Sequence, residues 1–147
     1  MQTEDDAGML IVRVFLGLVM FPHGAQKLLG WFGGGGFAAT LQGMTSMGLP
    51  AAIVLLVMIT EFFGALGLIS GFLGRVSAFG ILCVMVGAIL TVHLHNGFFM
   101  NWGNVAQKGE GFEYHLLAIG MALAVMVKGS GRLSIDRSLT PDRGIYR

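Results

Sequence analysis

A chain of 147 residues in which 54% are hydrophobic and only 12% are charged, with a mean hydropathy of +0.75, cannot keep itself in solution as a globular domain and reads as an integral membrane protein. The formal net charge of +1 says little about partners beyond membrane lipid, and no nucleic-acid partner is expected. Cys83 is the only cysteine, which excludes a disulfide framework and any paired-cysteine metal motif.

Four apolar runs are long enough to cross a hydrocarbon core of roughly 30 Å, which takes about 20 helical residues. They cover residues 9–29, 50–70, 75–95 and 112–128. None shows the alternation of barrel strands, so helices are expected. The first run follows acidic Glu4, Asp5 and Asp6 instead of a basic n-region, and no small-x-small site follows it, so it reads as a retained helix. It takes in Arg13, His23, Gln26 and Lys27, then ends in the glycines of residues 33–36. No strand precedes those glycines, so they read as a hinge and not as a phosphate loop. Phe37, Leu41 and Met44 recur at helical spacing and predict a short helix lying on the membrane.

The second run carries Glu61 near its middle. The very short connection at residues 71–74 makes runs two and three an antiparallel hairpin. The third run holds Cys83 and closes on His93 and His95. Phe98, Phe99 and Trp102 in the next connection, with Trp31 and Phe32 in the first, read as an interfacial belt. The fourth run is short, but Tyr114 and Lys128 can sit at the two interfaces. A basic tail follows. The chain is therefore expected to be a single all-α domain, residues 1–147, folded as an integral membrane four-helix bundle.

Orientation follows from the cations near the span ends. Arg13, Arg75, Lys128, Arg132, Arg137, Arg143 and Arg147 fall on one side, Lys27 and Lys108 on the other, which predicts both termini in the cytoplasm. Threading that topology at 1.5 Å per residue brings His23, Lys27, His93, His95, Glu113 and His115 near the outer face. A charge at mid-membrane costs roughly 2.5–3.5 kcal/mol, and each large aliphatic or Phe returns only about 0.3–0.6. Glu61 thus needs a partner. The depth count puts Arg13 about 7 Å from its level, within reach of a guanidinium, and predicts a structural ion pair between Arg13 and Glu61 that fixes helix register.

Rotation by 100° per residue places Arg13, Gly17, Met20, Gly24 and Lys27 on one face, partly small and so suited to close packing, with His23 just beside it. Glu113 shares a face with Leu117, Gly120 and Ala124 and is the expected counter-ion of Lys27. His93 and His95 point opposite ways on an unbroken helix. Periodicity favours His95, in line with Ser77, Val84, Ala88 and Thr91, over His93, in line with Leu82, Val86 and Leu90. Singly, these residues have ordinary roles: a snorkelling Lys27, interfacial His95 and His115, a Gln26 that bonds a neighbouring helix. Together, His23, Lys27, one of the His93/His95 pair and Glu113 point to a ligand-binding site, because intramembrane ionisable groups usually mark one.

The run HGAQKLLGWFGGGG, the MGLP before the second span, EFFGALGLISGFLGR, HLHNGFF, GFEYHLL and the closing GSGRLSID together resemble the DoxX family of small bacterial membrane proteins. The resemblance covers nearly the whole chain and implies a four-helix bundle with both termini inside. The family pattern falls on Arg13, His23, Lys27, Glu61, Arg75, His93 and Glu113, so it prefers His93 where periodicity prefers His95. It also implies association with membrane oxidoreductase systems, in which a quinone is the implied cofactor.

The leading expectation is a redox subunit of the bacterial inner membrane whose outer-leaflet cluster of His23, Lys27, His93 and Glu113 holds a quinone-like headgroup. A soluble partner enzyme supplies any hydride or thiol chemistry, since the chain has no dinucleotide fold and no surface thiol. The alternative is a non-catalytic accessory subunit packed against a larger redox or respiratory complex, suggested by the GxxxG of residues 67–71 and ten methionines. Without CxxCH or a His pair at i,i+4, no metal or haem site is assigned. A proton or solute carrier would need a homo-oligomer, because no inverted repeat is present.

Overall fold

The computed structural model describes residues 5–139; Glu4, Arg143 and Arg147, which entered the leader and orientation arguments, lie outside the described residues. Helix α1 (Ala7–Leu29) starts where the Asp6 side chain accepts the Met9 N–H at 3.1 Å and stops at Gly30 in the left-handed region. Helix α2 (Gly36–Ser46) is the short helix anticipated from the spacing of Phe37, Leu41 and Met44. Helix α3 (Ala51–Ser70) contains a π-turn at Thr60–Gly64. Helix α4 (Gly74–Asn96) is α-helical to Ala88, then passes through a π-turn at Ile89–His93 and a 3-10 turn at Leu94–Asn96. Helix α5 (Glu113–Lys128) and the single turn α6 (Ile135–Ser138) complete the chain.

The protein is all-helical, with no strand among the described residues, and α1, α3 and α4 are each long and apolar enough to cross a membrane. Sixteen residues of α5 pack between α1 and α4. The core where the helices meet is built from Leu16, Met20, Leu68, Ala78, Ile81, Ala118, Ala122 and Val125, all nearly or fully buried. Helix α4 runs along α5 and meets α3 mainly from Thr60 onwards; the first half of α3 packs instead on α1 and α2.

Two glycines on α1 fix its register against α3. A Cβ at Gly24 would come within 2.5 Å of the Phe62 backbone nitrogen, and one at Gly17 within 2.9 Å of the Ala65 carbonyl. With Gly24 beside Glu61 and Phe62, Arg13 lies three turns further along and passes the last turn of α3. The expected pair of Arg13 and Glu61 therefore does not form. Levelling the span ends put the two about 7 Å apart in depth, whereas the glycine contacts offset α1 from α3 and carry Arg13 out of reach.

Arg13 is 0% exposed and spends its donors on carbonyls. Nη1 donates to Leu68 and, at 2.8 Å, to Ile69 in the last turn of α3; Nε donates to Ser130 at 2.7 Å; Nη2 donates to Leu133 at 3.2 Å and more weakly to Arg132. These bonds pull residues 130–133 into the bundle end. Asp136 then accepts the N–H groups of Leu73 and Gly74 at 2.8 and 2.9 Å, an N-cap for α4 supplied from the far end of the sequence. The Ser130 hydroxyl donates to the same carboxylate at 2.6 Å. Asp5 pairs with Arg137, and that hydrogen bond holds its carboxyl below the usual range. Part of the basic tail is thus a plug in this end of the bundle.

The glycines of residues 33–36 form a packed turn instead of a free hinge. A Cβ on Gly34 would meet the Gln26 backbone at 2.4 Å, and Gln26 Nε2 donates to the Phe32 carbonyl at 3.2 Å.

If the α1–α3 contact sets the register, Gly24→Ala destabilises the protein by about 1–3 kcal/mol through overpacking against backbone that has no room to move. Gly120→Ala, whose Cβ meets nothing within 4 Å, stays neutral or stabilises, since alanine is the better helix former. Reversible unfolding in mixed micelles measures both.

Candidate functional site

Ahead of Thr60 in the chain, the divergence of α3 from α4 leaves a cleft of about 820 Å³. Its mouth lies on the side of the bundle, between Ile53 and Leu56 of α3 and Phe79 and Cys83 of α4, all exposed. The two helices that frame the mouth are long and apolar enough to cross a membrane. Met44 and Met47, from α2 and its end, roof the cleft, and Met20, Met85 and Met100 add to its wall. Thioether side chains give an apolar lining that adapts to the shape of what it holds.

The polar residues gather at the inner end. Lys27 Nζ and Glu61 Oε2 are 2.5 Å apart, with side chains 30% and 5% exposed. Lys27 lies one turn past Gly24, so the glycine register brings it level with Glu61, and its side chain leans back towards the helix N-terminus as helical side chains do. The same offset that separates Arg13 from Glu61 supplies Lys27 in its place. Beside this pair runs a wall of rings: His23 and Tyr114 at 6.2 Å between centroids, Tyr114 and His115 at 5.5 Å, His115 and His93 at 4.1 Å. His93 Nδ1 meets the Glu110 carbonyl at 2.8 Å. The Tyr114 hydroxyl donates to Met20 Sδ at 3.4 Å, a weak acceptor. His115 is 6% exposed, and its Nδ1 is sealed without a partner.

Both π-turns border this cleft, one carrying Glu61 and the other His93. A π-turn inserts an extra residue into the helical repeat and redirects side chains beyond it, and such turns concentrate at functional sites. The insertion explains why uniform periodicity misplaces the histidines: His93 lines the cleft, and His95 is exposed outside it.

Of the four residues expected to form the site, the cleft brings together His23, Lys27 and His93. Glu113 is elsewhere. Its carboxylate accepts from Trp102 Nε1 at 2.7 Å, and Lys27 has Glu61 as counter-ion instead. Helix α5 turns a different face inward, that of His115, Ala118, Ala122 and Val125. This spacing is visible in the sequence, and following it would have found His115 in place of Glu113. Tyr114, which the sequence suggests only as an interfacial anchor, also lines the cleft. Arg75, in the first turn of α4, is at the opposite end of the bundle. Among the described residues no three His, Cys, Asp or Glu side chains are grouped to hold a metal ion. The glycines of residues 67–71 are used internally, Gly67 against Ser77 and Gly71 against Ser134 and Arg13, and offer no free face to a partner helix.

The DoxX family model matches residues 8–94 of the chain, from the start of α1 to the turn after His93. Among curated proteins, "Inner membrane protein YqjF" of Escherichia coli (strain K12) is 31% identical over 139 residues, 95% of this chain and 97% of that protein. "Putative oxidoreductase CatD" of Bacillus subtilis (strain 168) is 30% identical over 136 residues, 92% of this chain and 90% of that protein. No solved structure gives a significant match.

Removing one member of the buried pair leaves the other charge uncompensated, so Lys27→Met costs about 3 kcal/mol or more. A double-mutant cycle with Lys27→Met and Glu61→Gln returns a coupling of about 1–3 kcal/mol, whereas the cycle of Lys27→Met with Glu113→Gln stays below about 0.5. Unfolding free energies of the four variants check the assignment.

Proposed function

The chain belongs to the DoxX family, and from that premise we propose that it is a small subunit of a membrane redox system whose cleft binds the headgroup of a quinone-like molecule. It is a multi-pass protein of the bacterial inner membrane. In this reading α5 is a fourth, shorter span of about 24 Å, both termini lie in the cytoplasm, and residues 1–147 form one domain with the polar end of the cleft in the outer leaflet.

The observation that carries the proposal is the cleft itself: an apolar, methionine-rich passage open sideways towards lipid and closed by a cluster of ionisable groups. A quinone tail needs access from the acyl chains, and its head needs hydrogen-bonding groups near an aqueous face. The donor set suits such a head, since Lys27 keeps N–H groups beyond the one given to Glu61 and His23 lies one turn back on the same helix. His93, bound to the Glu110 carbonyl near the mouth of the loop, is placed to exchange protons with the outer aqueous side. Glu113 has no part in this site. When bound, a quinone supplies reversible two-electron, two-proton carriage. The chain contributes the pocket and hydrogen bonds, and a partner enzyme supplies the electrons. That a relative bears the name of an oxidoreductase agrees with this assignment.

Lipid extracts of the purified protein are expected to contain quinone in near-stoichiometric amount. A short-chain quinone added at a hundredfold excess over its Kd raises the unfolding free energy by about 2.7 kcal/mol, and Leu56→Trp, which narrows the mouth, reduces both effects. Extracts without quinone and no thermal protection would overturn the assignment.

A further inference from the structure

We infer that the cleft prefers the reduced, hydroxyl-bearing form of its ligand, a hydroquinone, over the oxidised quinone, and that Glu61 is the residue that makes this distinction. The inference rests on the quinone reading above and gives Glu61 a binding role where sequence reasoning saw only a register-fixing ion pair.

The starting point is an imbalance in the hydrogen bonding of one carboxylate. Glu61 is 4% exposed, and its Oε2 is taken by Lys27. Its other oxygen, Oε1, accepts from no described residue. Nor is Oε1 sealed, for it is not among the buried side-chain atoms of the described residues that lack a partner. Since Glu61 lines the cleft, Oε1 is an acceptor that faces the ligand space. A carboxylate in an ion pair only accepts, so it is complementary to an O–H or N–H and not to a carbonyl. The acyl chains at the mouth offer no donor.

The two redox forms of a quinone differ in this respect. An oxidised ring presents only carbonyl oxygens, and one placed against Oε1 sets acceptor against acceptor. A hydroquinone presents an O–H there. Its oxygens can also accept, and the cleft has donors to match: the remaining N–H groups of Lys27, and the Tyr114 hydroxyl, now held by a thioether. Any oxygen is a better acceptor than that sulfur. Lys27 and Glu61 cancel in charge, which suits a neutral headgroup. The π-turn at Thr60–Gly64 is the local distortion that carries Glu61 at this position.

The test is anaerobic titration of the detergent-purified full-length protein with a one-isoprene benzoquinone, oxidised and then chemically reduced, with affinity read from ligand-induced thermal shift or calorimetry. The reduced form is expected to bind about fivefold or more tighter, the worth of one net hydrogen bond. Glu61→Gln offers an amide that donates as well as accepts, so it erases or reverses that ratio. A merely structural role for Glu61 would weaken both forms in step and leave the ratio intact. Equal affinity for the two forms in the wild type, as when water alone satisfies Oε1, overturns the inference, and so does a Glu61→Gln protein that keeps the wild-type preference. If that variant does not fold, the wild-type ratio decides alone. Wild-type protein that binds neither form brings down the quinone reading, and this inference with it.

Discussion

The register of α1 against α3 is the constraint from which the rest of the molecule follows. Two glycines, Gly17 and Gly24, let the helix backbones meet so closely that no side chain fits between them. Within a membrane this is how helices gain contact, because lipid tails give no hydrophobic drive to association. A slide by one turn would set the bulk of Met20 or Phe21 where a glycine must be. The offset so fixed sends Arg13 past the end of α3 and Lys27 to the level of Glu61. The buried Arg13 and the half-buried Lys27 thus both find their partners as a consequence of packing.

The two ends of the bundle differ because those partners differ. At the Arg13 end the guanidinium meets the terminal carbonyls of α3, which lack intrahelical donors and lie at the negative end of the helix dipole. Arginine suits the place because its donors point in several fixed directions at once, as a lysine's do not. The bonds reach two separate segments, the end of α3 and residues 130–133, and Asp136 ties in the start of α4. At the Lys27 end nothing comparable joins α3 to α4. The first half of α3 leans away, and its departure is what opens the cleft. One end is locked, so the other can remain open without loss of the fold.

Much of this was legible in the sequence, and the errors have definite physical origins. The extents of the spans follow from hydropathy and agree with α1, α3 and α4 to within about two residues, since an uninterrupted apolar run has little choice but to be helical in lipid. The clustering of His23, Lys27 and His93 at one end followed from topology alone. What failed were the steps that assumed ideal geometry. Equal depth for all span ends paired Arg13 with Glu61, when register is set by contacts between particular glycines and backbone. A constant 100° step selected His95, when the π-turn at Ile89–His93 adds a residue. Glu113 was favoured over His115 by its charge, although Ala118, Ala122 and Val125 mark the buried face of α5 as that of the histidine. Nothing local in the sequence announces a π-turn, which is a single-turn insertion within an otherwise regular helix.

A buried carboxylate at Glu61 calls for a physical reason. A buried ion pair is a poor means of stabilising a helical protein: well-packed apolar residues of similar volume do as well or better, and without the cost of placing a carboxylate at mid-membrane. Register does not require the pair either, since Gly17 and Gly24 already determine it. Nor is the pair self-contained, for a pair that existed only to neutralise itself would have both carboxylate oxygens engaged, as the Asp136 carboxylate does with Leu73, Gly74 and Ser130. Glu61 keeps one oxygen without a hydrogen bond beside an apolar cleft, on a helix segment whose regular winding is broken at that residue. Lys27 lowers the cost of the charge, and the open oxygen is what the charge is there to present.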